Sequence, residues 1–99
     1  MPIGDFANQI PPIGFLAIHI ALFIIGAYFA WRSFGAGQSA FGWAFSLYAL
    51  AEIVYMTYHL DWTVFLFAHT IAEVLDVVAF AIIFVTATRT MLTSARAGA

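Results

Sequence analysis

Three long apolar runs alternate with short polar interruptions along the chain. The first covers about Pro12 to Trp31 and gives way to the polar, glycine-containing stretch Arg32 to Ser39. The second covers about Ala40 to Tyr58 and is closed by His59, Asp61 and Trp62. The third covers about Thr63 to Thr88 and ends at Arg89. About 20 apolar residues in helical form cross a hydrocarbon core of about 30 Å, so each run is long enough to span. Unpaired peptide groups in lipid are too costly to tolerate, so the spans must be helical. The pattern therefore predicts one all-α domain over residues 1–99, an integral membrane bundle of three transmembrane helices in up-down-up order. Pro11 and Pro12 suit the first turn of a helix, where a missing N–H costs little. Gly35 and Gly37 bracket a turn between antiparallel helices. The second connection is only a few residues long, so the second and third helices form a tight hairpin.

Composition agrees with the pattern. Of the 99 residues 65% are hydrophobic and 8% are charged. Soluble domains carry about 25% charged residues, and a chain this short has too little interior to hide so much apolar surface from water. Lipid must be the solvent for most of it. Cysteine is absent, which excludes disulfides, thiolate metal sites and thiol nucleophiles. The three basic residues are Arg32, Arg89 and Arg96, too few and too scattered for a nucleic-acid surface. No positive stretch precedes the first apolar run, so a cleaved signal peptide is not expected. Membrane lipid and other membrane subunits, or further copies of the chain, are the expected partners.

The arginines also set an expected orientation. Arg32 follows the first span, and Arg89 and Arg96 follow the third. In an up-down-up chain these places share one side, and the other side holds Asp5 and Asp61 with no basic residue. The positive-inside rule then predicts an outside N-terminus and a cytoplasmic C-terminus. Trp31 and Trp62 stand at span ends, where interfacial aromatics belong. Ile3, Phe6 and Ile10 would anchor the N-terminal segment along the outer surface, and Thr93 to Ala99 reads as a frayed tail.

Against this apolar background the ionisable groups stand out. The third run carries His69, Glu73 and Asp76. At about 100° per residue, Glu73 lies about 40° from His69 and Asp76 about 20° to the other side, so the three share one narrow face. The second run carries Glu52 and His59 on a face shared with Tyr48 and Tyr55. The first carries His19. Ionisable groups at membrane depth are costly and mark functional sites by default. Folding the hairpins about residues near 36 and 62 brings His19, Glu52, His69 and Glu73 to one level in the outer half of the membrane. Asp76 falls near the midplane, about 4–5 Å below Glu73. No Arg or Lys is within reach, so three charge-balancing agents remain: a proton on the carboxyl group, a histidinium, or a bound cation.

Three functional expectations follow. In the first, His19, Glu52, His69, Glu73 and Asp76 supply nitrogen and oxygen ligands to a divalent transition metal such as copper, zinc or iron. The chain is then a small subunit of a membrane complex of redox or oxygenase type, carrying its metal near the outer face and not an enzyme on its own. Haem is the weaker variant: His19 and His69 offer two axial ligands, but the residues four before them, Phe15 and Phe65, are bulky and no basic group is near for the propionates. In the second, the same groups form an ion or proton pathway in a small oligomeric transporter or channel. In the third, they are interhelical hydrogen bonds in a purely structural accessory subunit, each worth roughly 1 kcal/mol or less.

Overall fold

The computed structural model describes residues 3–98. A short 3-10 helix, Asp5–Gln9, precedes three α-helices: α1 (Pro12–Gly35), α2 (Ser39–His59) and α3 (Phe65–Gly98). No strand occurs among the described residues. Each α-helix is long and apolar enough to cross a membrane, as the three apolar runs predict, and the order is up-down-up. Helix α3 differs from expectation in length. It has 34 residues, about 51 Å at 1.5 Å rise per residue, and continues through the segment expected to fray. Nothing between Phe65 and Ala97 is a glycine or proline. Once a helix is nucleated each further residue adds a hydrogen bond, so the tail prolongs the span beyond the hydrocarbon layer.

Helix α2 is central. It packs against α1 on one side and α3 on the other, and no Cα of α1 comes within 8 Å of one in α3. The three helices thus form a layer with a cleft between its outer members. What lies between the helices is small: Ala30, Ala44, Ala49, Ala51, Ala68, Ala72 and Ala79 are buried, and no large side chain is completely so. Gly26 and Gly42 are buried as well. Large apolar residues such as Leu66, Phe80 and Phe84 point outward. This is the membrane pattern: lipid tails are as apolar as leucine, so association comes from close backbone approach over small residues. Gly26 is one close point between α1 and α2. A Cβ there would lie 2.8 Å from Tyr48 and 3.5 Å from the Cβ of Ala49. Gly42, 2.7 Å from the Phe34 ring by the same measure, is another.

Both turns close with the same hydrogen-bond pattern. The N–H of Gln38 donates to the carbonyl of Ser33 at 2.8 Å and that of Gly37 to Phe34 at 3.1 Å. At the other end Trp62 donates to Thr57 at 2.9 Å and Asp61 to Tyr58 at 3.0 Å. This ending needs a left-handed residue after the last helical turn. Gly37 takes it freely at φ 76°, whereas Asp61 does so at φ 63°, at a steric cost that glycine would not incur. Asp61→Gly is therefore expected to raise stability by roughly 1 kcal/mol. Unfolding by sodium dodecyl sulfate in mixed micelles measures it, and a lower midpoint for the variant contradicts the strain argument.

Candidate functional site

The site is built outward from Glu52, the one charged residue buried among those described, at 5% exposure. It sits on the central helix one turn from Ala49, whose small side chain lets α1 draw near at Gly26. His19 of α1 reaches across, and its Nδ1 lies 2.6 Å from Glu52 Oε2. Both side chains are largely buried. A short contact between an imidazole nitrogen and a carboxylate oxygen holds one shared proton, and burial strengthens it by excluding competing water.

Around this pair stands a set of aromatic rings. The His19 ring stacks on Tyr55 with centroids 5.3 Å apart and on His59 at 5.2 Å. Phe15 also stacks on His59, at 4.9 Å. Tyr58 meets the same imidazole edge-on. His59 also lines a cavity of about 350 Å³ formed with the 3-10 helix, where Asn8 and Asp61 contribute polar groups. Neighbouring side chains therefore lead from a polar opening at His59, by ring stacking to His19, and by hydrogen bond to Glu52.

From Glu52 the series reaches α3. Tyr48 lies within the electrostatic reach of both Glu52 and Asp76. Tyr55 donates from its hydroxyl to Glu73 Oε1 at 3.1 Å. Asp76 completes the group: its Oδ1 is buried with no hydrogen-bond partner among the described residues. Glu52 and Glu73 are its acidic neighbours.

Of the five residues singled out in the sequence, the structure joins His19 to Glu52 directly. It links Glu73 through Tyr55 and places Asp76 one tyrosine away. His69 stands apart, stacked at 5.1 Å on Phe65 one turn earlier in its own helix. Among the described residues no group of three or more His, Cys, Asp or Glu side chains is arranged to hold a metal ion. His19 stacks on Tyr55, slightly farther along α2 than hairpin counting places it. The stacked pair His19–His59 is not legible in the sequence, because counting along helices does not show which rings meet across a register offset. Tyr48 and Tyr55 were visible as sharing a face with Glu52.

Comparison with protein-family models, with curated proteins and with solved structures yields no match.

Proposed function

We propose that this multi-pass membrane protein is a protomer of a small transporter that binds protons on its intramembrane carboxyl groups. Protons enter by the polar opening at His59, pass to the His19–Glu52 pair and reach Asp76 past Tyr48. The observation that carries this reading is the 2.6 Å contact between His19 and Glu52, buried between an accessible histidine and a tyrosine. Histidine exchanges protons near neutral pH more readily than any other side chain, and Asp, Glu and His chains within membranes are typical of proton relays. Below Asp76, residues 77–85 hold no ionisable group, so Asp76 is the inner terminus of the series and further copies or partner subunits complete the machine.

The test is proton uptake into liposomes containing the full chain, driven by a potassium diffusion potential and read with an internal pH dye. Wild-type protein is expected to exceed empty vesicles. Glu52→Gln and His19→Phe, inserted to the same level and equally helical, are expected to fall at least tenfold. Wild-type uptake no faster than that of empty vesicles overturns the reading.

The same 2.6 Å pair favours one other reading. His19 and Glu52 supply two donors to a transition metal, and a partner subunit supplies the rest, which makes the chain an accessory subunit of a redox complex. Elemental analysis separates the two: a stoichiometric metal in the native complex, lost with His19→Phe, supports the metal reading.

A further inference from the structure

The cleft between α1 and α3 has a volume of about 250 Å³. Helix α2 forms its floor. Gly26 and Phe29 of α1, Phe45 and Tyr48 of α2, and Asp76 and Phe80 of α3 are among its walls. Its lining is almost wholly apolar apart from the Asp76 carboxyl group and the Tyr48 hydroxyl. An enclosed apolar cavity of roughly 150 Å³ takes up benzene, so this one has room for an aromatic ring with a short side arm.

Three features of the cleft define the ligand. Its one carboxyl group has a buried oxygen, Oδ1, without a hydrogen-bond partner among the described residues. Such an acceptor is costly to leave unmatched in an apolar setting, so a donor is the complementary group. The facing titratable groups are Tyr48 and Glu52 from α2 and Glu73 from its own helix. Helix α1 presents only Ile25, Gly26 and Phe29 to the cleft. The groups facing Asp76 are therefore acidic, and Arg32, three residues beyond Phe29, lines the adjoining cavity with Phe29 and Phe45 and not the cleft itself. A positive charge matches that field and a negative one does not. Finally, Phe29, Phe45, Tyr48 and Phe80 offer aromatic faces, with Phe29 and Phe45 tilted together at 5.4 Å. Aromatic faces attract cations, most strongly where water is excluded.

We infer that the cleft between α1 and α3 binds a lipophilic primary ammonium ion, its N–H donated to Asp76 and its apolar body held by Phe29, Phe45 and Phe80. The ligand enters sideways from the bilayer, because the cleft lies between two helices that have no Cα atoms within 8 Å of one another. This inference rests on the transport reading only in naming what is carried. If Asp76 is protonated before binding, the incoming ammonium leaves it as carboxylate and one proton departs along Tyr48 and Glu52 toward His59. Proton and ammonium then compete for one carboxyl group, which is the requirement for exchanging one against the other.

The experiment is equilibrium dialysis of radiolabelled phenethylammonium against the full chain in detergent micelles, with empty micelles as reference and propylbenzene as the uncharged probe of the same shape. Saturable binding of phenethylammonium is expected, with propylbenzene at least tenfold weaker. Asp76→Asn is expected to weaken phenethylammonium at least tenfold and to leave propylbenzene unchanged. Ile25→Trp, at the exposed rim of the cleft, leaves the carboxyl group in place and is expected to block both probes. It also keeps the test decisive should Asp76→Asn fold poorly. Equal binding of the two probes by the wild type shows a cleft for lipid tails and overturns the inference, as does absence of saturable binding. Binding without proton uptake in liposomes removes the transport reading and keeps the site. Uptake without binding does the reverse.

Discussion

Replacing Glu52 with leucine is expected to lower stability by about 2–4 kcal/mol, although leucine is more at home in a membrane than glutamate. Glu52 is 5% exposed and its partner His19 lies 2.6 Å away. Removal of one member leaves the other buried without a partner, and the cost is set by that orphan and not by the net worth of the bond. Interhelical hydrogen bonds in membranes contribute roughly 0.6 kcal/mol on average when measured as couplings. The pair as a whole should therefore matter less than either half of it. The double variant His19→Phe with Glu52→Leu is expected to regain most of the loss, because two apolar side chains of similar bulk leave no unmatched polar atom. Unfolding midpoints of the two single variants and the double variant form the required cycle. A double variant as unstable as the sum of the singles contradicts the picture of an isolated pair and points to additional partners.

Gly26→Leu is expected to separate α1 from α2, with a loss of about 2–4 kcal/mol in the same unfolding measurement. The reason is geometric. Even the first carbon of a side chain there meets Tyr48 at 2.8 Å, and Ala49 follows at 3.5 Å. The Tyr48 ring also lines the cleft, so a leucine must either push that ring into the cleft or move the helix. Alanine at the same place asks the Tyr48 ring to shift, since its Cβ would lie 2.8 Å away, and is expected to cost about 1 kcal/mol. Because Gly26 and Tyr48 both line the cleft, leucine also changes the cleft's shape. Binding of phenethylammonium to Gly26→Leu should fall together with stability, whereas Glu52→Leu should affect stability and proton uptake and leave the cleft open. A Gly26→Leu protein as stable as the wild type shows that α1 is free to slide along α2.

The candidate site is partly legible in the sequence. His19 and Glu52 fell at one level because antiparallel helices joined by short turns pair residues almost symmetrically about the turn. A rise of 1.5 Å per residue leaves little room for error over four turns. His69 was grouped with Glu73 by the same counting, and counting gives depth and face only on the residue's own helix. It does not say which neighbour that face meets. Helix α3 touches α2 alone, and the imidazole of His69 rests on Phe65 of its own helix.

By itself, the sequence determined three helical spans, their order and their turns. Lipid forbids unpaired backbone, so any apolar run of this length has only one conformation available. It also determined that no arginine or lysine accompanies the intramembrane carboxyl groups. The tertiary structure alone decided that α2 is central and that α1 and α3 stand apart with a cleft between them. Helix packing in lipid depends on where small residues let backbones approach, and alanine and glycine occur on several faces of these helices. Which of those faces meet is settled by all contacts at once. That choice joins Glu52 to His19, leaves His69 aside, and turns Asp76 toward an apolar cleft with one oxygen free to accept a hydrogen bond.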